Sequence, residues 1–231
     1  MADERPRQIR SMRVLEKYFS KSPAVARVAP FLIFVLLTAC QGIFGAASAY
    51  WFYFAKIIVG AWLILEMRPF VSEMRWTISW EAIVVGILIF IAWVGLDNFY
   101  PKFFHAVATG NPFDVFGNNL AWFFIAVHIL GMTFIVPPLE EVFYRSFLYR
   151  IIINENFLSV PLNKFLPTPF FATAIAFGIA HNEWLAGILC GAAFQWLVLR
   201  KNRLGDAMTA HAITNFLLGL WIVWKHDWHF W

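Results

Sequence analysis

Residues 181–196 read HNEWLAGILCGAAFQW, and this run decides the class of fold. His181, Asn182 and Glu183 lead straight into a segment with no charge at all. Groups that need water therefore stand at the mouth of a segment that suits lipid. Ionisable side chains near hydrocarbon are costly, so as a rule they face a protein interior or a wet cavity and perform a task there. The rest of the chain is equally apolar: of 231 residues, 61% are hydrophobic and 14% charged. Mean hydropathy is +0.65. An ordinary soluble domain is about 45–50% apolar and about 25% charged. A single water-soluble core cannot hide this much apolar surface, and the chain reads as a polytopic membrane protein.

Every spanning segment must satisfy its own backbone, which leaves helices or a closed barrel. Period-2 alternation is absent, so the sequence predicts an all-α bundle. Ala29 to Leu65 is too long for one span of about 20 residues. Gln41, Gly42, Gly45 and Ser48 supply a turn that divides it into two helices. Lys56, in the second, either snorkels toward the interface or lines a cavity, and snorkelling is the expectation. Ala82–Leu96 is a third span, followed by a loop over 97–119. Leu120–Val136 is a fourth span, which Pro137-Pro138 is expected to end. Leu139 to about Glu155 is helical by pattern, and 168–180, 184–199 and 207–224 follow as apolar segments. The expectation is about eight transmembrane or re-entrant helices around a polar cavity, with the tryptophans near segment ends forming interfacial belts.

Residues 1–27 form a basic arm, with Arg5, Arg7, Arg10, Arg13, Lys17, Lys21 and Arg27 ahead of the first apolar run. Such an arm suits a cytoplasmic anchor beside anionic lipid better than a nucleic-acid contact. No small-x-small cleavage site follows it, which argues against a removed signal peptide. Residues 28–231 read as one membrane-embedded domain. Cys40 and Cys190 both lie in apolar runs and read as buried hydrophobes. Gly187 and Gly191 make a GxxxG pair that would let two helices approach closely.

Three polar clusters interrupt the apolar segments. In Glu140-Glu141-Val142-Phe143-Tyr144-Arg145, Glu141 and Arg145 are four apart and pair on one face. Glu140 is rotated about 100° away and lacks that partner. Pro138 reads as a first-turn residue, which would set both glutamates at the positive end of a helix. In the second cluster Phe177 and His181 are one turn apart, so the ring can support the imidazole. In the third, His211 and Asn215 share a face. Each cluster alone is commonplace. Three of them, in separate and otherwise uncharged segments, point to a site.

EExxxR, FxxxH and HxxxN, in this order over about residues 120–220, resemble the CAAX prenyl protease and bacteriocin-processing (CPBP, or Abi) family of intramembrane glutamic-type proteases. The resemblance implies a catalytic set of Glu140, His181, His211 and Asn215. Glu140 would activate water with help from His181, while His211 and Asn215 would donate to the oxyanion. Glu141, Arg145 and Phe177 would support them. Ser146 stands where the family's pattern carries Gly. The texture of HNEWLAGILCG also resembles a bacterial branch associated with exosortase systems, which implies components of that machinery as partners. The expected substrate is a membrane-anchored peptide or protein, and the expected location is a bacterial inner membrane with a cytoplasmic N-terminus.

No cofactor is implied. Two Glu and two His could in principle bind Zn²⁺, but the HExxH spacing that advertises a hydrolytic zinc site is absent. A non-catalytic membrane binding or scaffold protein is the other alternative. Topology carries a tension. Glu140 and His181 meet only if 139–155 crosses or re-enters, and Arg200, Lys201 and Arg203 then fall on the side opposite the N-terminal arm, against the positive-inside expectation.

Overall fold

The computed structural model describes residues 14–41, 43–102 and 110–231. Arg5, Arg7, Arg10 and Arg13 of the basic arm, Gly42 of the first turn and residues 103–109 of the long loop lie outside the described residues. The described chain is all-α, without strands. Its principal helices are α1 (Pro23–Ala39), α2 (Ala46–Met67), α3 (Trp80–Gly95), α4 (Asn118–Ile153), α5 (Pro167–Ile179), α6 (Trp184–Lys201) and α7 (Gly205–Lys225). Helices α2, α4 and α7 are long and apolar enough to cross a bilayer, and α1, α3 and α5 are shorter apolar helices. This is the pattern of a multi-pass membrane protein.

Two segments expected to be separate are one. The chain stays helical through Pro137-Pro138, with Ile135 at φ −101°, ψ −43°, and α4 runs 36 residues. At 1.5 Å per residue that is about 54 Å, well beyond a hydrocarbon core of about 30 Å. The fusion leaves seven principal helices among the described residues where eight were expected. It also means that Glu140 does not open a helix. The residue lies deep within α4, about 33 Å from its start, so no helix N-terminus faces the glutamates. Directly after them, Val142–Leu148 widens into π-helix, a form that often marks functional positions.

Polar contacts sort the helix ends into two groups. Glu73, in the loop between α2 and α3, accepts from Arg27 of α1 at 2.9 Å and from Arg150 of α4 at 3.0 Å. In the same region Thr77 donates to Asp206 of α7 at 2.9 Å, and Lys201 of α6 reaches Glu81 of α3 at 2.5 Å. The start of α1, the tail of α4 and the α6–α7 turn therefore share one end. At the other, Tyr50 donates to the Gly110 carbonyl and Trp184 to that of Pro101, both at 2.8 Å. The basic turn Arg200–Arg203 is thus on the same side as the start of α1. The tension between site geometry and positive charge disappears because α4 carries the chain to that side in one piece.

Two further expectations change. Arg27 belongs to α1, which opens at Pro23 with Ser22 as its cap, and it is buried. The residues just before α1 are packed as well, since the Leu15 amide donates to Glu66 at 3.0 Å. Lys56 does not snorkel. It is only 5% exposed, and its ammonium donates to Thr38 at 3.1 Å. The GxxxG expectation holds between α5 and α6: a Cβ on Gly187 would lie 2.9 Å from the Gly178 Cα, and one on Gly191 2.9 Å from the Ala174 Cα.

Candidate active site

Helix α4 supplies the two glutamates, and their different roles follow from one turn of backbone. Glu141 is fully buried, with Oε2 3.1 Å from the Nε of Arg145, itself fully buried one turn on. The pair is at ion-pair distance without hydrogen-bond alignment, and the guanidinium nitrogens have no hydrogen-bonded partner. The guanidinium instead lies against the Phe177 ring, its Cζ 4.7 Å from the centroid. Cation–π attraction of this kind strengthens when water is excluded. Glu141 therefore carries a load that Glu140 does not.

Helix α7 brings the first imidazole. His211 is buried, and its Nδ1–H donates to Glu141 Oε1 at 2.9 Å. That contact fixes the ring and turns Nε2 toward Glu140, where it lies 4.0 Å from Oε2. The separation exceeds a direct hydrogen bond and is one that a bridging water can close. Phe194 and Phe177 flank the ring at centroid distances of 5.2 and 6.0 Å. One oxygen of Glu140, Oε2, is buried without a hydrogen-bond partner.

The second imidazole comes from just beyond α5. His181 Nδ1–H donates to the Phe177 carbonyl at 2.7 Å, which leaves Nε2 as the lone-pair nitrogen. Its ring stacks on Phe177 at 4.7 Å, as the one-turn spacing predicts, and meets the edge of Trp93 at 5.5 Å. Glu140 and His181 line one cavity of about 560 Å³, together with Tyr144, Phe34, Thr38 and Lys56. Asn215 is placed differently. It lies one turn beyond His211 on α7, and its Nδ2 donates to the Met132 carbonyl of α4 at 2.7 Å. One of its two N–H bonds is thus committed to backbone.

The structure therefore gathers Glu140, Glu141, Arg145, Phe177 and His211 and opens a shared cavity between Glu140 and His181. It ties Asn215 to α4. Among the described residues, no group of three or more His, Cys, Asp or Glu side chains is arranged to hold a metal ion.

Sequence reasoning left Lys56 outside the three clusters and held cavity lining, the position it takes, as the second reading. It missed the network around Ser146. The Ser146 hydroxyl donates to Glu73, while Arg27 and Arg150 donate to it at 3.1 and 2.6 Å. A buried lysine within an apolar run was the signal for the first. The second had none, because its partners come from two other elements.

A family model described as "Type II CAAX prenyl endopeptidase Rce1-like" matches residues 118–217. Those bounds enclose α4 through His211 and Asn215, so Glu140, Glu141, Arg145, Phe177 and His181 also fall inside them, while Lys56 and Glu73 fall outside. The chain is also 28% identical over 127 residues to the UPF0177 protein YajF of Lactococcus lactis subsp. lactis (strain IL1403). That alignment covers 50% of this chain and 61% of the relative, so the chain spans less than two thirds of the relative's length. Neither match bears on an exosortase-associated branch, and no solved structure matches. Over residues 118–217 the chain carries a domain of the Rce1-like type II CAAX prenyl endopeptidase (CPBP) family.

Proposed function

We propose that the protein is an intramembrane endopeptidase of glutamic type, hydrolysing a peptide bond of a membrane-anchored protein or peptide with Glu140 as general base. The observation that carries this reading is the division of labour between adjacent carboxylates. Glu141 is spent on Arg145 and His211, while Glu140 keeps a buried, unpaired oxygen facing Nε2 of His211 and opening on the cavity it shares with His181.

In this reading Glu140 takes a proton from water as the water oxygen attacks the carbonyl carbon, then delivers it to the leaving amine. The free Nε2 of His181 orients that water. His211 in its doubly protonated form keeps Nδ1–H on Glu141 and donates Nε2–H to the developing oxyanion, beside the uncommitted N–H of Asn215. Donors fixed in advance in a dry pocket are each worth about 10²–10³ in rate.

The apolar groove beside the site supports a membrane-borne substrate. It lies between α4 and α7, has a volume of about 560 Å³, and is lined by Leu130, Phe134, Ala212, Ile213 and Phe216. The Arg27 end carries Arg68, Arg75, Arg200, Lys201 and Arg203, against Lys102 and Lys225 at the other end. That asymmetry supports a cytoplasmic Arg27 end in a bacterial inner membrane.

Terminal proteomics of cells holding wild-type or Glu140→Ala protein tests the assignment. At least one peptide terminus should be lost with Glu140→Ala while the variant still accumulates in the membrane. Identical sets of termini from the two strains would overturn it.

A further inference from the structure

The cavity that holds Glu140 carries an ammonium on its opposite wall, a group with no part in the proposed hydrolysis. Lys56 lies near the middle of α2, only 5% exposed. Its Nζ donates once, to Thr38 Oγ1 at 3.1 Å, and rests over the faces of Phe34 and Tyr53 at 4.7 and 4.5 Å. No carboxylate of the described residues lies within 4.0 Å of it, the Glu140 charge acting on it only from a longer distance, whereas the buried cations Arg27, Arg145 and Arg150 each have one. Two of its three N–H donors are thus without an oxygen partner, in a place where an unmatched charge is expensive.

Two cavities adjoin this residue. Lys56 and Thr38 line the Glu140 cavity, and the same two residues line a second cavity of about 240 Å³ with Gln41, Tyr50, Tyr53 and His128. The ammonium therefore stands at the junction of two spaces open to a ligand. Aromatic faces hold a cation in position without consuming its donors.

We propose that Lys56 is an anion subsite of the same cavity, which takes a carboxylate of the bound substrate. The inference rests on the protease reading only for the word substrate; the subsite itself follows from the unused donors of the ammonium and the two cavities. A compact ammonium suits a single carboxylate oxygen as a point charge. The volume of the Glu140 cavity is within the range that encloses a drug-sized ligand, the scale of a short peptide end. The carboxylate could belong to a chain terminus or to the headgroup end of a fatty acid, and the test separates them.

Detergent-purified Glu140→Gln protein, which is unable to turn substrate over in the proposed mechanism, is titrated with acetyl-trileucine as free acid and as amide, and with laurate. Binding is followed by calorimetry. The acid should bind about tenfold or more tightly than the amide, the return expected of one charge-assisted hydrogen bond. Lys56→Met should bring the two ligands to equal affinity, and Lys56→Arg should keep a preference for the acid. Thr38→Val, which leaves the charge in place, should shrink the preference without abolishing it, and it provides the answer if Lys56→Met fails to fold. Equal affinity for acid and amide in the Lys56 protein would overturn the proposal. So would a preference unchanged in both Lys56→Met and Thr38→Val. Acid preference for laurate alone, with none for the tripeptide, would reject the substrate role. An acid preference in the titration, together with identical peptide termini in cells holding wild-type and Glu140→Ala protein, would sink the protease reading and leave the subsite standing.

Discussion

Two adjacent glutamates that differ by one residue of helix rotation should fail in opposite ways. Glu141→Ala leaves the Arg145 guanidinium fully buried with only the rings of Phe177 and Tyr144 to attract it among the described residues, and it frees His211. Breaking a buried pair from one side costs about 3–5 kcal/mol. The variant should therefore show a depressed Tm and poor recovery from membranes. Glu140→Gln removes no ion pair of that kind, so it should melt near wild type and be inactive. Thermal melts on both, beside a cleavage assay once a substrate is found, check the pair; equal stability losses would contradict the division of labour. The i, i+4 spacing of Glu141 and Arg145 makes their pairing legible in the sequence, because both partners lie on one turn. Ser146 is not legible in that way. As a substitute for the family's glycine it reads as a tolerated small residue. In the fold it is fully buried, and its hydroxyl joins Arg27 and Arg150 to Glu73 across 119, 4 and 73 residues of chain. The contacts to Arg27 and Glu73 leave no local pattern, and the same holds for Lys56 and for the bond from Asn215 to Met132.

Proline reads as a stop because it lacks a donor and its ring crowds the preceding turn, yet α4 passes through two of them. Pro137 and Pro138 stand at the first turn of the stretch Val136–Glu141, where proline is tolerated, and Ile135 keeps helical dihedrals across the junction. The boundaries over 120–155 are illegible in the sequence because a proline that ends one helix and a proline in the first turn of a helix continuing in line with it read alike. The α5–α6 contact is legible, since small residues four apart leave their mark in sequence. It also makes a prediction about the site. A Cβ at Gly191 meets the Ala174 backbone at 2.9 Å and the Cβ of Phe177 at 3.2 Å. Gly191→Leu should push α5 outward and carry Phe177, and with it His181, away from Glu140. Activity should fall by about 10²-fold, the scale of a 1 Å displacement of reacting groups. Gly95→Leu, at a glycine with open space around its Cβ position, should be harmless. Equal activity in the two variants would mean that α5 does not set the position of His181.

At the scale of the molecule, the end that gathers α1, the α2–α3 loop and the tail of α4 is held by a single carboxylate. Burial alone would raise the Glu73 pKa, but the Arg27 charge and the Ser146 hydroxyl outweigh it and hold the group below its ordinary 4.5. A depressed carboxylate stabilises the fold fully above that value, and its contribution is lost as pH falls through the folded pKa. Glu73→Gln should therefore lower Tm at neutral pH, and the gap to wild type should close on acidification below about pH 4.5. A gap that stays constant across that window would assign the loss to packing instead. The same end also decides how the protein sits in its membrane. The composition makes a membrane bundle legible, but it leaves the basic turn after α6 on the wrong side, because counting spans is an odd-or-even argument and one fused helix reverses it. With α4 continuous, the arginines of the α2–α3 loop and of the α6–α7 turn are together, and the positive-inside rule then assigns one orientation. Replacing Cys40 and Cys190 by Ser gives a background for single cysteines at Glu155, exposed at the Arg27 end, and at Asn98, exposed at the other. In intact spheroplasts a membrane-impermeant maleimide should label Asn98→Cys and spare Glu155→Cys, and lysis should expose both. The reverse order would place Glu140 nearer the outer face and require a substrate presented from that side.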